Sequence, residues 1–150
     1  MGRKVNNEIF AVIDTNVLVS AMLKKLSPPD QIMQEIFKGT ITPLLNKEIL
    51  DEYWNVLRRP KFKFSEKAVN VLITSLMKQA IFVDAESVEE ILPDPKDVVF
   101  YEVVMEGRKT EDAYLVTGNK KHFPLKPFIV DPRQMVEIIE EAKRVEKDFE

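Results

Sequence analysis

Short apolar runs recur along this chain, spaced to leave room for a helix between most of them. Phe10 to Ile13 runs into Asp14, Ile41 follows Gly39 and Thr40, and Ile81 to Val83 runs into Asp84. Tyr114 to Val116 runs into Thr117, Gly118 and Asn119, and Phe128 to Val130 into Asp131 and Pro132. Apolar runs without polar alternation mark strands buried on both faces of a parallel sheet. Between them, Ser27, Pro28, Pro29 and Asp30 make a helix start, Ile32, Ile36 and Phe37 carry its apolar spacing, and Gly39 stops it. Asn46 caps a pattern running through Arg59 and ending at Pro60. Ser65 and Glu66 open another, with Val69, Leu72, Ile73 and Leu76 on one face. Asp97 opens a helix carrying Val99, Phe100, Val103 and Val104, and Pro132 opens the last, with Met135, Val136 and Ile139. This alternation predicts a three-layer α/β fold with right-handed crossovers and a central, mainly parallel five-stranded sheet. In such folds ligands collect beyond the carboxyl ends of the strands.

A chain of 150 residues fits one domain, residues 1–150 with a core of about 9–140. No stretch reaches the roughly 20 apolar residues of a membrane span, and Met1 to Glu8 is polar, without the apolar centre of an export signal. Cysteine is absent and His122 is the only histidine. Disulfides, thiolate metal sites and multi-histidine zinc sites are thereby excluded, and a cytoplasmic setting is expected. Any metal would have to be held by oxygen, which selects Mg²⁺, Mn²⁺ or Ca²⁺. The net charge of −3 argues against a protein that coats nucleic acid by charge alone. Its distribution is uneven: Arg58, Arg59, Lys61, Lys63 and Lys67 crowd one segment with Glu66 as its one acid, and Lys120, Lys121 and Lys126 lie in a stretch without acids. Such patches suit an enzyme touching phosphates, or are simply solvated surface.

Three carboxylates draw attention. Asp14 ends the first apolar run, so it either caps the following helix or stands free at the sheet's carboxyl edge. A helix N-terminus there would also favour phosphate. Glu52 has Ile49 at i−3 and Val56 at i+4, on a stripe completed by Tyr53 and Leu57, which turns it inward or leaves it at the stripe's margin. Glu48, one turn earlier, could assist, whereas Asp51 points away. Asp97 reads first as an N-cap and Asp94 as a turn residue. Carboxylates converging from separate loops cannot all stay ionised without a cation, and Mg²⁺ suits an oxygen-only cluster. At the fourth strand end, Thr117 and Asn119 offer neutral oxygens and an amide, with Gly118 allowing a tight turn.

The segment Val12 to Ser20, with Asp14, Thr15 and Asn16, resembles the opening of PIN domains. Glu48 to Tyr53, followed by Val56 to Phe62, resembles a toxin-like PIN subgroup. Asp94 to Tyr101 and Tyr114 to Pro124 continue the likeness in order, from about Ile9 to Met135. The resemblance implies a parallel sheet with helices on both sides and an acidic pocket holding one or two Mg²⁺ or Mn²⁺ ions that cleaves single-stranded RNA. It places the family's first acid on Asp14, its helix glutamate on Glu52 and its third acid on Asp97. The fourth acid is replaced by Asn119, which leaves three strong carboxylates. Asn16 and Thr117 would orient ligands or substrate. It further implies a toxin of a type II toxin–antitoxin pair, silenced by a small antitoxin that inserts a helix or arginine into the acidic groove, and a homodimer.

The expected chemistry is metal-assisted hydrolysis of an RNA phosphodiester. Asp14, Glu52 and Asp97 would hold the ion, and Asn119 and Thr117 would orient water or phosphate. Arg58, Arg59, Lys61, Lys120 and Lys121 would steer the strand, and Phe62 or Phe123 would stack a base. His122 reads as surface or packing. The rival is a catalytically weak or inactive module that binds RNA or a partner protein, favoured by Asn119. A third reading, a flavodoxin- or receiver-type domain, wants a glycine-rich phosphate loop, and four scattered glycines do not supply one.

Overall fold

The computed structural model describes residues 8–148; the polar segment before Glu8 lies outside them. Five strands form one all-parallel sheet: β1 (Ile9–Ile13), β2 (Ile41–Leu45), β3 (Ile81–Phe82), β4 (Tyr114–Val116) and β5 (Ile129–Val130), in the order β3-β2-β1-β4-β5. Six α-helices accompany them: α1 (Thr15–Leu23), α2 (Pro28–Lys38), α3 (Lys47–Leu57), α4 (Glu66–Gln79), α5 (Val98–Gly107) and α6 (Pro132–Asp148). The architecture is a three-layer α/β/α fold. From β1 the chain steps outward through β2 to β3, then returns to the other side of β1 as β4. The strand order therefore reverses between β1 and β4, the place where open α/β sheets form a crevice. By the right-handed rule, the crossover carrying α5 lies on the face opposite the two outward crossovers.

Local chemistry sets most helix ends. Ser27 Oγ accepts from Asp30 N, with Pro28 and Pro29 in the first turn, and Gly39 closes α2 in the left-handed region at φ 90°. Asn46 accepts from Ile49 N and Ser65 from Ala68 N. Before α6, Asp131 Oδ1 accepts from Gln134 N at 2.8 Å and Gln134 Oε1 accepts from Asp131 N at 2.9 Å, a reciprocal cap. The core runs through all three layers, from Val12, Ile13 and Leu115 in the sheet to Leu18, Ile36, Ile73, Phe100 and Met135 on the helices. At Gly107 a Cβ would stand 2.6 Å from Leu44 Cδ1 and 3.3 Å from Ala113 Cβ, so a larger residue there would force the Leu44 side chain of β2 to shift.

Two expectations shift. β3 is an edge strand, with Ile81 46% and Phe82 53% exposed, instead of being buried on both faces. Pro43 lies within β2, before the two residues that pair with β3, so its missing N–H interrupts no ladder on that side. The third helix stops at Leu57, two residues short of Arg59, because Pro60 starts a separate 3₁₀ turn over Pro60–Phe62.

Candidate active site

The carboxyl ends of β1 and β4 meet where the strand order reverses. Asp14 N donates to Val116 O at 2.9 Å, extending the ladder by one residue and fixing the Asp14 backbone. Asp14 holds the N-cap position of α1, yet its side chain makes no cap hydrogen bond. It turns across to β4, where Thr117 Oγ1 donates to Asp14 Oδ2 at 2.7 Å. Thr117 Oγ1 in turn accepts from Asn119 N at 3.0 Å. Asn16 bridges the same two loops: its Nδ2 donates to Asp14 Oδ2 at 3.4 Å, and its Oδ1 accepts from Gly118 N at 3.3 Å. Gly118 contributes that N–H and not a left-handed turn; among the described glycines only Gly39 has positive φ.

Glu52 comes from α3, and its neighbour Tyr53 aims it. Tyr53 is buried, and its hydroxyl donates to Ile13 O at 2.5 Å, pinning α3 against the last residue of β1. Glu52 is thereby brought beside Asp14, half-buried, with Thr15 Oγ1 donating to its Oε2 at 3.4 Å. Burial pushes the Tyr53 hydroxyl far up, and the charges of Asp14 and Glu52 add to the effect. The phenol therefore stays neutral and serves as a donor. Glu48 is exposed and lines a separate hollow with Phe82 and Asp84, so it takes no part here.

Asp97 arrives from the far side, in a 3₁₀ turn over Pro95–Asp97 that leads into α5. Asp94 caps this turn, accepting from Lys96 N at 3.0 Å. Asp97 stands at the N-cap of α5 without capping it, so the cap reading fails for its side chain as it does for Asp14. Its Oδ2 is buried and accepts no hydrogen bond. His122 Nδ1 lies 3.4 Å from that oxygen, an ion-pair distance once the imidazole is protonated.

Asp14, Glu52 and Asp97 thus line one cleft of about 420 Å³, together with Asn16, Asn119 and His122. Their charges feel one another. Burial pushes Asp14 up to about 6; Thr117 offsets part of this, and Asp97 and Glu52 raise it further. Asp97 is also raised, by burial first and then by Asp94 and Glu52, with His122 pulling the other way. Among the described residues no group of three or more acidic or histidine side chains forms a ready-made metal cage. The three acids share a cleft without closing on one point. The donor set still fits a hydrated Mg²⁺ or Mn²⁺. All its atoms are oxygen, the buried Asp97 Oδ2 has only His122 Nδ1 near it, at 3.4 Å, and such ions keep several waters that can bridge to carboxylates.

The basic residues separate. Arg59 lines the cleft with Phe62. Arg58 lies 5.7 Å over the Trp54 ring and Lys61 5.2 Å over Phe62, and neither lines the cleft. Lys120 donates to Gln134 at 3.0 Å and faces a different hollow, and Lys121 is exposed outside the cleft. Phe123 is only 6% exposed, so it is a core residue and cannot stack a base. Lys96 and His122 line the cleft without having been expected there. As a lone histidine in a loop, His122 reads as surface or packing, and only the fold brings it to Asp97, 25 residues earlier.

The PIN-domain family profile matches residues 11–121, from β1 to the turn after β4. An uncharacterized protein of Methanocaldococcus jannaschii is 26% identical over 116 residues, covering 75% of this chain and 72% of that protein. No solved structure matches. With most of its length accounted for by that profile, this chain belongs to the PIN-domain family, whose members are in general metal-dependent nucleases.

Proposed function

We propose that this protein is a metal-dependent endoribonuclease that cleaves single-stranded RNA, with Asp14, Glu52 and Asp97 as the ligands of Mg²⁺ or Mn²⁺. The observation that carries the reading is the state of Asp14: a buried carboxylate raised to about 6, beside two further acids and without a basic partner. A divalent cation is the counter-charge that would favour the ionised form of Asp14 beside the other two acids. When bound, it supplies an activated water and stabilises charge on the phosphorus under attack.

The side chains around it have definable tasks. Thr117 and Asn16 hold the Asp14 carboxylate in one orientation. Asp97 offers a buried oxygen whose near neighbour is His122 Nδ1 at 3.4 Å. Asn119, tethered through its N–H to Thr117, presents its amide to water or phosphate. Arg59 and Lys96 bring positive charge to the cleft and attract the phosphate chain. We further propose that the protein acts in the cytoplasm as the toxin of a type II toxin–antitoxin pair, bound by a small antitoxin and working as a homodimer.

The test is internal cleavage of labelled single-stranded RNA. Wild type is expected to cut with Mg²⁺ or Mn²⁺ and to stop with EDTA, and Asp14→Asn is expected to be inactive. Equal cleavage by both proteins contradicts the reading. A second reading, a binding module without catalysis, is favoured by Asn119 in place of a fourth acid and by the lack of a preformed cage. It predicts RNA binding with no cleavage and no Mn²⁺ uptake.

A further inference from the structure

We propose that the RNA strand leaves the carboxylate cleft across the Phe62–Phe64 ring stack and continues along a basic groove between α1, α2 and α4. The inference rests on the nuclease reading above and adds the substrate's path to it. The groove has a volume of about 620 Å³, and Ala21, Met22, Lys63 and Phe64 are among its lining residues. Val19, Ser20 and Phe62 line the carboxylate cleft. Helix α1 and residues 62–64 thus contribute to the lining of both hollows.

The rim between them is aromatic. The Phe62 and Phe64 rings stack with centroids 5.6 Å apart and planes at 14°, and both are partly exposed. One ring belongs to each hollow, so the pair bridges them. Lys63, between them, is held in the left-handed region at φ 57°, a conformation that non-glycine residues avoid. It is one of two such residues among those described, and it closes the Pro60–Phe62 turn, its N–H donating to Pro60 O at 3.1 Å, which fixes where the two rings stand. Stacking on phenylalanine needs unpaired bases and is tolerant of their identity, so the platform selects a single strand and not a duplex.

Beyond the rim the charge is right for phosphates. Lys25, Lys63 and Lys67 line the groove, and none forms an ion pair among the described residues. The groove's one acid, Asp30, is already committed: it accepts from Leu26 N at 2.8 Å and from Gln34 Nε2 at 3.4 Å. On a chain of net charge −3, three lysines stand over a largely apolar floor that includes Met22, Met33, Phe37 and Leu72, next to an acidic cleft. That arrangement fits a polyanion whose scissile phosphate is handed to a cation while its flanking phosphates are held by lysines.

The test uses the whole chain and a triple variant, Lys25→Gln, Lys63→Gly and Lys67→Gln. The glycine suits the left-handed backbone, and all three positions are exposed, so the melting temperature should hold. Binding of a fluorescent twelve-nucleotide single-stranded RNA is measured by anisotropy in EDTA across a salt series. The slope of log affinity against log salt is expected to fall by about 2, from roughly 0.7 per lost phosphate contact. Phe64→Leu is expected to weaken the same RNA about tenfold with little change in salt slope. Cleavage of a three-nucleotide substrate with Mn²⁺ should be unchanged in the triple variant. An unaltered slope and affinity in that variant would overturn the path, as would equal binding of an RNA duplex. If wild type binds the twelve-nucleotide RNA in this way but cuts neither substrate, the nuclease reading fails and the path stands. If both RNAs are cut equally by wild type and the triple variant, the path fails and the nuclease reading stands.

Discussion

Glu35 on α2 and Asp14 after β1 are both carboxylates drawn away from water, and their surroundings treat the charge in opposite ways. Burial pushes Glu35 up, but Lys143 Nζ, which donates to its Oε2 at 2.7 Å, the Thr40 hydroxyl and Lys38, 3.7 Å away, together hold it below its ordinary value. Both carboxylates have a threonine hydroxyl beside them, Thr40 at Glu35 and Thr117 at Asp14, but Asp14, also pushed up by burial, has two acids where Glu35 has lysines. At Glu35 the fold provides the counter-charge and gains a tie between α2 and α6. At Asp14 it withholds one. A carboxylate of the first kind is structural. One of the second kind is costly to keep unless an external cation completes it.

The widest contrast is in catalysis. Asp14→Asn is expected to lower RNA cleavage by at least about a hundredfold, while Glu35→Gln leaves it within about twofold, since only the former removes charge from the centre. Comparable losses in both, measured on one labelled RNA, would erase the distinction.

Stability should separate the two acids by sign. The folded-state pKa of Asp14 is raised from 3.8 to about 6, so the folded protein binds the proton more tightly than the unfolded chain does. Without metal, stability is therefore lost as pH climbs from about 4 through 6. The loss is about 3 kcal/mol, from some two units at 1.36 kcal/mol each. Asp14→Asn can keep the Thr117 hydrogen bond without the charge. In EDTA at pH 7.5 it is expected to be more stable than wild type by up to that amount, and the gap should close near pH 4. Denaturant melts at the two pH values decide the matter; a variant less stable than wild type at pH 7.5 would contradict it.

The smallest effect belongs to Glu35. Its pKa is lowered, so its contribution is present above its ordinary 4.5 and is lost as pH falls through the folded value. Glu35→Gln should cost about 1 kcal/mol at pH 7, because Lys143 and Lys38 are largely solvated. No loss in a urea titration would show that this ion pair does not hold α6 to α2.

Much of this could be read before folding, wherever the signal is local. The apolar run ending in Asp14 gives β1 and its edge carboxylate, and Ser27, Asn46 and Ser65 announce helices through caps that involve only residues three positions on. What depends on distant partners was not legible. That Asp14 serves Thr117 and not its own helix is a contact across 103 residues. The apolar run at Ile81 looks like an interior strand because sequence cannot tell an edge position from a central one. Arg58 and Arg59 are adjacent, yet the chain's turn at Pro60 leaves one over Trp54 and the other in the cleft. Tyr53, read only as a core residue, turns out to set where Glu52 stands.

Direct Mn²⁺ titration reaches the centre of the account without involving RNA. With Mn²⁺ followed by electron paramagnetic resonance, wild type should take up the ion, and Asp14→Asn, Glu52→Gln and Asp97→Asn should each weaken it by about tenfold or more. Glu35→Gln should bind like wild type. Uptake that is absent in wild type, or unchanged in all three cleft variants, would mean that these acids do not share a cation.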